Sequence, residues 1–199
     1  MNFQSLAGEI IQMKEHDLEV RQGLAESGAL YDGYHAEMEA VHLKHARRLS
    51  KIIDEIGWPS EARVGRQARD AAMIIVLHAI SFPGFQRRCL EYVKRAMDEG
   101  LEDRRNFAFL YDRICFNERR PQVFGTQYDW DEHGEMSPWV MEDTANVNAL
   151  RLSYGLNPIE EETEAIRKGV ADSNQAPPES YELRQKEMEE WSRKVGWIT

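Results

Sequence analysis

Arg66-Gln67-Ala68-Arg69-Asp70-Ala71-Ala72-Met73-Ile74-Ile75-Val76-Leu77-His78-Ala79-Ile80-Ser81-Phe82 is apolar on nearly every side from Ala71 to Leu77. A helix with no solvated face has to be covered by other elements, so this stretch predicts a central helix from about Arg66 to Phe82. Pro83-Gly84 then breaks the chain, because proline cannot continue the helical ladder. The remaining sequence is read as what packs around that helix.

Upstream, Tyr34, Met38, Val41, Leu49, Ile52 and Ile56 share one face of a helix from about Leu30 to Ile56, and Gly57-Trp58-Pro59 ends it. His45 lies in the middle of that face, with His42 and His35 on its flank. Phe3, Leu6, Ile10, Met13, Val20 and Leu24 form the stripe of a first helix. Asp17 falls where that stripe asks for a hydrophobe, and Arg21 follows one turn later, the spacing at which two side chains meet.

Downstream, Phe85, Cys89, Val93, Ala96 and Met97 mark a fourth helix closing near Gly100, and Phe107, Leu110 and Ile114 a fifth from about Asp103 to Phe116. The period then changes. Phe124, Thr126, Tyr128 and Trp130 alternate, and a turn at Asp131 to Gly134 precedes Met136 to Val140, which predicts a β-hairpin. Asp143 is suited to cap a helix from Thr144 to Tyr154, stopped by Gly155 and Pro158. An acidic run at Glu160 to Glu162 and a polar, proline-containing linker lead to a last helix with Tyr181, Met188, Trp191 and Val195 on one face. The expected fold is mainly α, an irregular bundle of six or seven helices with one β-hairpin. The expected organisation is a helical domain over 1–168 with the hairpin near 122–140, a linker over 169–178, and an amphipathic helix over 179–199 that docks on the core or on a partner.

Composition narrows the function. With 199 residues, 42% of them hydrophobic, the chain can bury a core. Its formal charge of -10 would repel a phosphate backbone, which argues against nucleic acid. Its longest apolar run is far short of the ~20 residues that cross a membrane, and Met1-Asn2-Phe3-Gln4 lacks the basic start of a secretion signal. The expectation is a cytoplasmic protein with no membrane partner. Cys89 and Cys115 each sit in an apolar helical pattern and read as reduced core thiols.

Several separated pieces carry a resemblance: Asp17 with Arg21, Gly57-Trp58-Pro59 with Val64-Gly65, His78-Ala79, Gln86, Tyr111-Asp112-Arg113, Gln122 with Phe124-Gly125-Thr126-Gln127, and Arg151 with Gly155-Leu156. In order and spacing they resemble a bacterial family of domains of unknown function, over roughly Leu6 to Ile159. The resemblance implies Tyr at the position of Phe124 and Asn at that of His45 in other members. It implies no activity.

Chemistry is therefore read from the residues. His78, at the end of an apolar run, is the candidate general base; Asp112 would orient it and Arg113 would hold an anionic group, giving His78, Asp112 and Arg113 as the catalytic set. Asp17, Arg21, His42, Gln122, Thr126, Gln127 and Arg151 are the candidate ligand-binding set. Arginines supply charge for an anion, while amides and hydroxyls read a ligand's donors and acceptors. The bland reading of the same residues is a core histidine with structural ion pairs and amides that satisfy buried backbone. His35, His42 and His45 with Glu39 share one helix, yet there is no His-Glu-x-x-His and no cysteine pair, so no metal is assigned and no cofactor is named. The leading expectation is a polar pocket for a small anionic ligand, in a hydrolase or transferase. The alternative is a non-catalytic interaction module with a structural polar network, whose C-terminal helix meets a protein partner.

Overall fold

The computed structural model describes residues 2–29, 34–173 and 175–199. The expected start of the second helix at Leu30, and position 174 of the expected linker, lie outside the described residues. Two compact units result, Met1–Asp103 and Arg104–Thr199.

The first unit holds α1 (Phe3–Glu26), α2 (Ala36–Ile56), the short α3 (Glu61–Val64), α4 (Arg66–His78) and α5 (Pro83–Asp98). α4 is central as expected and packs against the other four. Its Ala68, Ala71, Ala72, Met73, Ile75 and Val76 are buried, as are Ile10 of α1, Leu49, Ile52 and Ile53 of α2, and Phe85, Cys89 and Val93 of α5. Each fully buried Leu or Ile contributes about 2 kcal/mol by area.

α4 ends at His78, four residues before the expected Phe82. Two causes combine. Phe82 precedes a proline and is held out of the helical region at φ -129° and ψ 69°. Gln86, fully buried on α5, donates its Nε2 to the carbonyls of Val76 (2.7 Å) and Leu77 (3.2 Å), so the last turn of α4 has acceptors satisfied from outside. His78 is thereby fixed at a helix end. Gly57 takes φ 73° at the end of α2, and Trp58 donates its indole N–H to the buried Glu102 at 2.8 Å.

The second unit holds α6 (Arg104–Asn117), β1 (Tyr128–Trp130), β2 (Met136–Pro138), α7 (Val147–Ser153), α8 (Ile159–Asp172) and α9 (Tyr181–Val195). β1 and β2 pair antiparallel, Asp129 opposite Ser137. Asp131 shapes the turn by accepting from the amides of His133 and Glu135, both at 2.9 Å. Ala108, Phe124 and Leu156 form a core cluster with Phe107, Tyr111 and Tyr154 around it.

Three boundaries differ from expectation in this unit. The strand begins at Tyr128, not Phe124, because the amides of Val123, Phe124 and Thr126 turn to a side chain of α6 instead of a strand. α7 starts at Val147 because Asp143 bonds the amides of Ala145 and Asn146 in a turn that precedes the helix. The acidic run at Glu160 to Glu162 is the first turn of α8, where negative charge suits the positive end of the helix dipole. Both cysteines are buried and unpaired. Among the described residues, no helix is long and apolar enough to cross a membrane.

Candidate metal centre

Asp17 interrupts the apolar stripe of α1 between Met13 and Leu24, all three being buried. At 1% exposure its carboxylate needs partners. They come from two other helices. His78 Nδ1 lies 3.1 Å from Asp17 Oδ1 and 3.0 Å from Oδ2. His42, on the buried face of α2, places Nε2 3.1 Å from the same Oδ2.

The two imidazole rings are tilted, with centroids 5.0 Å apart. One ligand atom from each of Asp17, His42 and His78 lies within 4.8 Å of the others. Burial alone would raise the carboxyl of Asp17, but the bond from His78, the approach of His42 and their charges reverse this and hold it well below the usual carboxylate range. His42 Nε2, although close, makes no aligned hydrogen bond. His78 has a side chain one-third exposed, so the cluster reaches solvent on its side.

Further polar groups surround the cluster. Tyr34 Oη is 2.7 Å from His42 Nδ1. His45, expected on the apolar face, is buried and lies 3.3 Å from Nδ1 of the exposed His16 through its Nε2. Burial, then the neighbouring His16, pushes His45 down to about 4. His35 is no part of the cluster, since its ring caps α2 by accepting from the amide of Glu37.

The other sequence candidates form a separate network in the second unit. Asp112, fully buried on α6, accepts at Oδ1 from the amides of Val123 (2.9 Å) and Phe124 (3.1 Å). At Oδ2 it accepts from the amide and the hydroxyl of Thr126, both at 3.0 Å. Burial nonetheless raises its pKa, these bonds notwithstanding. Gln122 donates to the carbonyls of Gln127 and Trp139, both at 2.9 Å, and accepts from the amide of Gln127 at 2.8 Å. Gln127 donates its own side chain to Thr126 Oγ1.

Arg151, 1% exposed, donates Nη1 to the carbonyls of Phe124 (2.7 Å) and Gly125 (2.9 Å), and Nε to that of Asn157 (2.6 Å). Gly125 has φ +67°, and a Cβ there would clash with Ile159 Cδ1. What approaches this glycine is a side chain of α8. Asp112, Gln122 and Arg151 all bond backbone groups of this segment, so the motif is the frame of the loop leading into the hairpin.

These observations revise the expected pairings. The carboxylate that holds His78 is Asp17, while Asp112 is occupied by the loop. Asp17 is bonded to histidines, and Arg21 is exposed. Arg113 is pushed down to about 10 by burial, and its Nε has no hydrogen-bond partner. Of the three histidines considered on α2 as a metal group, only His42 joins the cluster.

The motif pieces behind the resemblance to a bacterial domain family all fall within one matched region, residues 4–171. The chain belongs to the family described as "Family of unknown function (DUF6624)". The DUF6624 match includes Asp17, His42 and His78 as well as the hairpin frame, and it ends before α9. No curated protein and no solved structure matches the chain.

Proposed function

We propose that the protein is a metal-dependent hydrolase, in which Asp17, His42 and His78 hold a divalent transition-metal ion that activates water against a small anionic substrate. The observation that carries this is the buried Asp17 carboxylate with an imidazole nitrogen of His42 and one of His78 within 3.1 Å of a single oxygen. Two imidazoles and one carboxylate are a donor set for zinc and its first-row neighbours, and a poor one for magnesium or calcium.

Three protein ligands leave room for water, and a bound ion lowers the pKa of that water toward neutrality. The solvent-facing side of His78 supplies the approach. The ion, in place of a set of arginines, would supply the positive charge for an anionic substrate. Buried, unpaired cysteines and the charge of -10 support a cytoplasmic setting without nucleic acid.

The test is metal content and binding. Full-length protein stripped with chelator is titrated with Zn²⁺, Co²⁺, Mn²⁺ and Mg²⁺ by calorimetry, beside Asp17→Ala, His42→Ala and His78→Ala, and then assayed on p-nitrophenyl phosphate and acetate. One Zn²⁺ or Co²⁺ per chain, lost in all three variants, with turnover only in the loaded protein, is the expected result. Absence of binding, or binding untouched by the three substitutions, overturns the proposal.

A second reading is a protein partner for α9, favoured by the exposed Leu183 on a helix beyond the family match. It ranks second because polar bonds already tie α9 to β1, among them Arg184 to Asp129 at 2.6 Å.

A further inference from the structure

With Asp17, His42 and His78 committed to the ion in the reading above, a base for the attacking water has to come from another side chain. Glu39 stands beside the cluster. It lies on α2 three residues before His42, and residues at that spacing are neighbours on a helix surface, with Cβ atoms about 5 to 6 Å apart. Its Oε1 accepts from Ser81 Oγ at 2.5 Å. Ser81 in turn lies three residues beyond His78, in a turn closed by the amides of Ile80 and Phe82, which donate to the carbonyls of His78 (2.8 Å) and Ala79 (2.9 Å). The carboxylate of Glu39 therefore points from α2 toward the chain that leaves His78.

Two pairs thus join the same two segments. His42 meets His78 with ring centroids 5.0 Å apart, and one helical step away Glu39 meets Ser81. Burial grades across them, from Asp17 at 1% exposure to the half-buried Glu39 and Ser81 and the one-third exposed side chain of His78. Glu39 borders the cluster on the side that reaches solvent. Ser81 occupies its Oε1, while Oε2 makes no hydrogen bond among the described residues and is not buried. A carboxylate with one oxygen held and the other open to water has the geometry of a general base.

We propose that Glu39 is the general base of the hydrolysis, taking a proton at Oε2 from the water that the ion activates. This rests on the metal-centre reading above and deepens it. The water oxygen forms a bond to the phosphorus or carbonyl carbon of the substrate, and the bond from that atom to the leaving-group oxygen breaks. The proton held on Glu39 then passes to the leaving group, so water is the only co-reactant. A positioned base of this kind contributes about 10²- to 10⁴-fold to a rate.

Glu39→Gln in the full chain separates this role from a structural one. An amide oxygen accepts from Ser81 as a carboxylate oxygen does, so a bond that only ties the turn to α2 survives the substitution. By calorimetry Glu39→Gln is expected to bind Zn²⁺ and Co²⁺ as wild type does, and to lose about 10²- to 10⁴-fold in kcat on p-nitrophenyl phosphate or acetate. A second readout needs no turnover. The visible absorption of the Co²⁺-loaded protein is followed against pH, and its alkaline transition is expected about one pH unit lower in Glu39→Gln, because a carboxylate beside the water disfavours a second negative charge there.

If wild type takes up neither Zn²⁺ nor Co²⁺, the metal-centre reading fails and the proposal with it. If wild type binds and His42→Ala does not, while Glu39→Gln keeps wild-type kcat, the base assignment alone is overturned. Loss of metal from Glu39→Gln also overturns it, since that makes Glu39 a ligand. Should wild type bind metal and turn over neither probe, the Co²⁺ transition decides, and equal transitions in the two proteins overturn the assignment. Should Glu39→Gln fail to fold, Glu39→Asp, which keeps the charge on a shorter stem, takes its place. Unchanged metal affinity with kcat down roughly 10-fold or more supports the base, and wild-type kcat overturns it.

Discussion

Replacing Asp112 by alanine tests whether the hairpin motif is a frame or a site. The carboxylate accepts from the amides of Val123, Phe124 and Thr126 and from the hydroxyl of Thr126. Alanine leaves the three amides without their acceptor. Phe124 is buried, so its amide bears most of the desolvation penalty, about 2 kcal/mol, while Val123 and Thr126 are half-buried and lose about 1 kcal/mol each where water substitutes. The sum is about 4 kcal/mol, a large part of the roughly 5 to 15 kcal/mol that holds a typical domain folded. Asp112→Asn keeps one acceptor oxygen but turns an NH₂ toward donors, and should lose about half as much. Urea unfolding followed by circular dichroism measures the change. Amide exchange at Val123, Phe124 and Thr126 localises it. A loss under 1 kcal/mol with protection retained at those amides would refute the frame, and a stable Asp112→Ala protein lacking activity would return Asp112 to the catalytic set.

Three further outcomes follow from named contacts. Gly125→Ala, forced to keep φ +67° with a Cβ that meets Ile159 Cδ1, should cost about 2 to 4 kcal/mol in urea unfolding, and Ile159→Ala in the same chain should recover part of it. His45, depressed from 6.5 to about 4 in the folded protein, gains protons first when unfolded. Stability should therefore be fully present above pH 6.5 and fall as pH drops through 6.5 toward 4, by at most about 3 kcal/mol and by less with solvent screening; a His45→Gln protein should have a flatter profile between those values. Zn²⁺ at a hundred times its dissociation constant should add about 2.7 kcal/mol, or roughly 5 to 10 °C in melting temperature. The shift should vanish in His78→Ala.

The sequence showed the parts of this protein better than their pairings. Ala71 to Leu77 revealed the central helix because an all-apolar surface has only one way to be satisfied. Asp17 and His78 stood out for the same reason, as polar residues at apolar positions. Their bond spans 61 positions of chain and depends on how α1 meets α4, which periodicity does not encode. His42 was visible among three histidines on one helix, but its true partners come from other helices. The strand expected from Phe124 failed because alternation describes side chains, while the amides of that segment were already taken by Asp112. α8 went unassigned because its three glutamates stood out as an acidic run, although they form the first turn of a helix.

Asp17 and Asp112 are both buried carboxylates on helices, and their partners separate them. Asp112 is bonded to backbone amides and a neighbouring hydroxyl, groups whose protons stay in place over the whole working range of pH. Such a carboxylate can organise a loop and has no capacity left for a ligand. The partners of Asp17 are imidazoles, whose ring nitrogens can exchange a proton for a metal ion without leaving their positions. A chain that needed only to neutralise Asp17 could have met it with one lysine. Two histidines from two further helices make a charge that can be replaced. That difference in partner chemistry, and not burial or pKa, places the candidate function at Asp17, His42 and His78 and the candidate frame at Asp112, Gln122 and Arg151.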